Sequence, residues 1–175
     1  MLLKIGKGID RVTSAMSLVS YVGVIVIVLL TVIDVILTKT ISKPILGAYE
    51  ITEQLLLCTV FASFAYGQTK KSHINMALII SRLPRTLRYL CFAVMSLISV
   101  AVAALMGYAA VLQAISNYQS NDVTANLFIP TFPFLIVEAV AMFVFALALL
   151  YDTVLSVGAI KNDEYAEIVA SGWST

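Results

Sequence analysis

Three carboxylates in this chain stand where carboxylates are costly. Glu50 and Glu53 are three residues apart, a spacing that puts side chains on one helix face, and Glu138 lies alone within a long apolar run. A carboxylate pair can hold a cation or share a proton, but no His or further acidic residue is spaced to complete such a site. The partial positive charge of a helix N-terminus explains the two residues more simply, since they open an apolar segment. A polar contact with a partner chain also suits them, because Tyr49, Glu50, Thr52 and Glu53 cannot all face lipid cheaply. Asp34, near the end of the first apolar run, reads in two ways. It is an ion or subunit contact, or a carboxylate paired with Lys39 or reaching water. The single histidine, His73, lies between basic residues and has no ligand partner in sequence. Cys58 and Cys91 have neither disulfide-framework nor metal spacing, and read as small packing residues.

The elements that must position these groups are four long apolar stretches. Ser14–Ile33 and Tyr89–Asn121 carry no charge, and 46–68 and 128–151 carry acidic residues only. Crossing a hydrocarbon core takes roughly 20 mostly apolar residues in a helix. Every backbone polar group must then be satisfied internally, which leaves helices or closed barrels. The stretches lack the period-two alternation of barrel strands. The expected fold is an all-α integral membrane protein, a single domain spanning 1–175. Its transmembrane helices fall near 13–37, 46–68, 87–116 and 130–152. The 61% hydrophobic content leaves no room for a separate catalytic domain. A fifth, shorter helix is expected over 72–83, lying in the interface between Lys70-Lys71 and Arg82, Arg85 and Arg88, whose cations would anchor it to lipid headgroups. In the third helix Ser99, Ala103 and Gly107 recur every four residues, a spacing that lets another backbone approach.

Net charge hides an asymmetry. Of the eleven Lys and Arg residues, Lys4, Lys7, Arg11, Lys70, Lys71, Arg82, Arg85, Arg88 and Lys161 fall on one side of the four-helix path, and only Lys39 and Lys43 on the other. The positive-inside rule then places both termini and the basic loop in the cytoplasm, and 117–128 outside. The first helix reads as an uncleaved anchor, being too long for a signal h-region and lacking a cleavage pattern. P-loop, HExxH, nucleophile-elbow and dinucleotide motifs are missing. No pair of Gly/Pro-broken helices marks a mid-membrane substrate site. No enzyme is expected on these grounds, and no nucleic-acid partner is expected either.

The order of short motifs resembles the small, Q-type (DctQ-like) membrane subunit of tripartite ATP-independent periplasmic (TRAP) transporters. Lys43-Pro44 is followed by Tyr49-Glu50-Ile51-Thr52-Glu53, then by the run from Phe61 to Gln68, His73-Ile74, and Ser81-Arg82-Leu83-Pro84. Ile129-Pro130-Thr131-Phe132-Pro133 leads into the fourth helix. The chain departs from the family at Ser72, where Gly is usual, at Asn75-Met76, where Val-Asp is usual, and at Lys39, where Arg is usual.

The resemblance implies an auxiliary subunit in a bacterial inner membrane. It would brace the scaffold of a large M-type permease subunit during sodium-coupled uptake of an organic acid, of the C4-dicarboxylate or sialic-acid type. A periplasmic substrate-binding protein would deliver that substrate. Sodium coupling would reside in the large subunit, and this chain would need no cofactor of its own. Asp34, Glu50, Glu53 and Glu138 are the candidate subunit contacts, and Lys70, Lys71, Arg82, Arg85 and Arg88 the candidate lipid anchors. Two other readings compete: a stand-alone four-helix exporter with Glu138 as its coupling group, and an assembly subunit of another membrane complex.

Overall fold

Long runs of Val, Ile, Leu and Ala without an internal proline propagate as helix for as long as nothing interrupts the hydrogen-bond ladder. The computed structural model describes residues 2–70 and 84–161, and shows four helices. They are α1 (Leu2–Ile41), α2 (Ala48–Thr69), α3 (Arg85–Ser120) and α4 (Phe132–Lys161). The all-α fold expected from sequence is present. Three of the helices, α1, α3 and α4, are longer than the spans read from sequence, and α2 is close to its expected length. α1 runs 40 residues, about 60 Å at 1.5 Å per residue, roughly twice a hydrocarbon core. The expected helix at 72–83 lies outside the described residues.

By length and composition, three helices can cross a membrane unaided: Gly6–Ile41, Ala93–Ser120 and Phe132–Gly158. α2 is long enough at 22 residues but is not among them, for Glu50, Glu53, Gln54 and Gln68 dilute its apolar character. This least apolar helix sits in the middle of the array. α2 packs along both α1 and α4, α4 also packs along α3, and α1 meets α4 only briefly. The order across the molecule is therefore α1, α2, α4, α3. Successive helices alternate in direction, so the 42–47 and 121–131 loops share one end. The start of α1, the end of α2, the start of α3 and the end of α4 lie at the other.

Small residues set the spacing between helices. Ala62, Ala65, Ala103, Ala110, Ala114, Ala139, Ala141, Ala146 and Ala148 are all buried. Around Ala103, Met142, Ala146 and Leu149 close Phe61, Phe64, Val100 and Phe145. Phe64 contacts both Phe61 and Phe145, with ring centroids 5.7 and 5.9 Å apart. Gly23 of α1 lies so close to α2 that a Cβ there would come within 2.2 Å of the Thr59 hydroxyl. The Ser20 hydroxyl donates across the same seam to the Thr59 carbonyl at 3.0 Å. The small-residue stripe on α3 differs from the expected one. Ala103 and Gly107 do face α4, but Ser99 is exposed and donates to the Met95 carbonyl of its own helix. Ser96 takes the place in the seam, buried and hydrogen-bonded to Thr153. The expected four-residue repeat therefore holds only from Ala103 to Gly107, and the buried small residues continue at Ala110 and Ala114.

Candidate functional site

The polar groups that the sequence marks for chemistry collect at the loop end, where helices stop and backbone amides need partners. Asp34 is within two turns of the end of α1, and its carboxylate accepts the Ile45 N–H at 2.6 Å. That bond closes the 42–47 loop, whose Ser42 and Gly47 both have positive φ. Asp34 thus acts as a backbone tie, a role distinct from both sequence readings, and Lys39 does not pair with it among the described residues.

Glu50 has a more elaborate tie. Its Oε1 accepts the Asn126 N–H at 2.7 Å and the Asn126 side-chain amide at 2.6 Å, and its Oε2 accepts the Leu127 N–H at 3.0 Å. Buried in the first turn of α2, the carboxylate also lies in the favourable field of that helix terminus. The loop it holds is compact. Thr124 N–H donates to Ile129 O, Phe128 N–H to Thr124 O, and Thr131 N–H to Asp122 O, and Val123 forms an antiparallel bridge with Pro130. Leu127 then seats on Gly47. α4 begins at Phe132, two residues beyond the expected start, because Pro130 is used in that bridge and Pro133 occupies the first helical turn.

Glu53 and Glu138 are different. Glu53 is exposed and Glu138 half-buried, and neither has a hydrogen-bond or ion-pair partner among the described residues. Glu138 lies on α4, the helix that packs along α2. Of the four carboxylates named from sequence as subunit contacts, two are committed inside the chain and two are not.

At the other end the structure shows ties that sequence reasoning missed. Buried Asp152 accepts from the Gln68 side-chain amide at 2.7 Å, joining α2 to α4. Lys70 pairs with Asp10 at 3.0 Å and lies 5.7 Å from the Tyr66 ring centroid. The hydrogen bond to Asp10 holds the Lys70 ammonium above its usual range. Thr13 and Thr69 share a hydroxyl contact at 3.2 Å in the same corner. Gln68 belongs to the Phe61–Gln68 motif, but nothing in the sequence pairs it with a residue eighty-four positions away. Lys70, one candidate lipid anchor, is thus tied to α1. Lys71 and Arg82 lie outside the described residues, and Arg85 and Arg88 fall in the opening turn of α3.

A cleft of about 360 Å³ opens between α3 and α4 near the loop end, walled by Tyr118, Phe132 and Phe143 above Ala114 and Ala139. Tyr118 and Phe132 meet edge to face at 5.2 Å between centroids. No charged side chain lines it, whereas an anionic substrate would need cationic or N–H donors. Among the described residues there is no group of three His, Cys, Asp or Glu able to hold a metal ion, and Cys58 and Cys91 are free thiols. The arrangement is a set of interhelix ties, and the cleft between α3 and α4 is apolar.

Residues 27–158 match the family model described as tripartite ATP-independent periplasmic transporters, DctQ component. No curated protein and no solved structure matches the chain. The match takes in most of the four-helix region, from the middle of α1 to the last turn of α4. The chain belongs to the DctQ family, the small membrane component of TRAP transporters, and is a multi-pass membrane protein of a transport system and no enzyme.

Proposed function

We propose that this chain is an auxiliary subunit that widens the stationary part of a large M-type permease subunit and has no transport site of its own. The observation that carries the reading is the use made of its polar side chains. Asp34, Glu50, Gln68, Asp152, Asp10 and Lys70 are each engaged in ties within the chain. The cleft between α3 and α4 is apolar. A transporter needs polar groups free to exchange ions or substrate at mid-membrane. Here most are committed to holding helices and loops in place. The substrate, an organic acid delivered by a periplasmic binding protein, would then be chosen and coupled to sodium in the partner chains.

In this reading all four helices cross the inner membrane. α2 does so because α1 and α4 cover its flanks, which offsets its lower apolarity. The loop end faces the periplasm and both termini the cytoplasm, as the Lys and Arg distribution requires. Reconstitution tests the role directly. Liposomes receive this chain, the large subunit, or both, with binding protein, organic acid and a sodium gradient. Uptake is expected only with both membrane subunits. Sodium-driven uptake by this chain alone would overturn the auxiliary role, and full uptake by the large subunit alone would overturn its necessity.

A further inference from the structure

The auxiliary reading requires a partner-facing surface, and the inference here rests on that reading while naming the face and the chemistry of the contact. α2 has α1 on one flank and α4 on another, and its remaining exposed stripe is narrow. Tyr49, Glu53, Leu56, Val60 and Ser63 form it, spaced four and three residues apart, as one face of a helix must be. Tyr49 is 79% exposed and Leu56 51%.

Hydrocarbon suits the outward faces of the neighbouring helices. α1 presents Leu18, Val22, Ile25 and Leu29, and α3 presents Ile98 and Leu105. It does not suit the α2 stripe, because lipid there would cover the Glu53 carboxylate. α2 is also the helix that falls short of the apolarity a lone span needs. Two features, the composition of the helix and the charge on its open face, call for protein cover.

Charge says what kind of protein. α2 and α4 both start at the loop end, with Glu53 five residues beyond Ala48 and Glu138 six beyond Phe132. At 1.5 Å per residue these lie roughly 8 and 9 Å along their axes. Two carboxylates without partners among the described residues therefore stand at one depth on adjacent, packed helices. A cation is the complementary group, and a guanidinium fork can address two carboxylates at once. Further along the stripe Ser63 is small, so a second backbone can approach. We propose that the open face of α2, with Glu138 beside it, seats a membrane helix of the large subunit that brings one Arg or Lys to the depth of Glu53 and Glu138.

The test uses the full chain co-expressed with a tagged large subunit, and measures how much chain co-purifies. The Glu53→Gln/Glu138→Gln double variant and Leu56→Trp should each lower recovery at least tenfold. Leu105→Trp, on the exposed face of α3, should change it less than twofold. Each variant is also purified alone and checked for a single size-exclusion peak, so that misfolding is recognised. Undiminished recovery of the double variant overturns the proposal, as does loss caused by Leu105→Trp with Leu56→Trp harmless. Failure of the unaltered chain to co-purify would instead overturn the auxiliary reading beneath it. Leu56→Cys in a background lacking Cys58 and Cys91 gives a second measure, independent of yield. A bifunctional thiol–amine reagent or photo-crosslinker there should join it to a large-subunit helix with an Arg or Lys within one turn. Neutralising that cation should reproduce the loss seen in the double variant. A crosslink to a second copy of this chain, or none in the assembled complex because lipid covers the stripe, overturns the proposal.

Discussion

Replacing Gly47 by Ala should destabilise the chain far more than one methyl group suggests. Gly47 has φ +76°, and a Cβ there would fall 2.3 Å from Leu127 Cγ and 2.4 Å from its Cδ1. Two costs add. An L-residue in the left-handed region loses about 1–2 kcal/mol. Forcing a methyl into a filled contact costs about 1–3 kcal/mol, here because Leu127 must leave its seat. Lower entropy of the unfolded chain returns roughly 0.4–1 kcal/mol. The net loss is about 2–4 kcal/mol, equivalent to a fall in unfolding midpoint of roughly 5–15 °C for a chain of this size. Leu127 cannot shift freely either, for its N–H is one of the donors to Glu50.

A double-mutant cycle separates the two costs. In a Leu127→Ala background the clash is gone and the backbone strain remains, so Gly47→Ala should cost about 1–3 kcal/mol less than in the unaltered chain. Thermal or denaturant unfolding in detergent, followed by helical circular dichroism, reads each corner of the cycle. Gly47→Ala within about 0.5 kcal/mol of the parent would refute the strained, crowded turn. Additive losses would refute the contact between Gly47 and Leu127, and with it the docking of the 121–131 loop on α2.

The α1–α2 seam offers a parallel case at Gly23, where Gly23→Leu should part the helices and cost about 1–3 kcal/mol by overpacking against Thr59. Thr59→Ala should recover part of that loss in the same unfolding assay; no recovery would mean that the seam is not where the structure puts it. For orientation, single cysteines at Ser120 and Ser171 in a background lacking Cys58 and Cys91 should react differently with a membrane-impermeant reagent in intact cells, Ser120→Cys labelling and Ser171→Cys not. Labelling of Ser171→Cys would invert the topology.

The four helices were legible because their signal is local. A stretch such as Tyr89–Asn121 has no charge and no proline, and hydrocarbon thickness then dictates helix. Helix ends were less legible. Hydropathy reports where lipid begins, whereas the hydrogen-bond ladder of α1 continues through Lys4, Lys7 and Arg11. The start of α4 depended on Pro130 being drawn into a bridge with Val123, a contact that no local pattern encodes. The carboxylates divided the same way. Their cost in a membrane was visible in sequence, and so was the need for a partner. Which partner was not visible, since Glu50 meets Asn126 and Leu127 across seventy-six and seventy-seven positions.

That division bears on why α2 retains so many polar residues. Glu50 ties it to the 121–131 loop, the Thr59 carbonyl receives Ser20 of α1, and Gln68 reaches Asp152 of α4. Each tie lies at a different height along one helix, and together they fix α2 against every element it touches. In lipid, apolar surface gives little preference for one helix neighbour over another, so such polar and close-packed contacts decide the arrangement. A helix that holds an array together in this way cannot also be apolar enough to face lipid. It belongs within the array, where α1 and α4 cover its flanks.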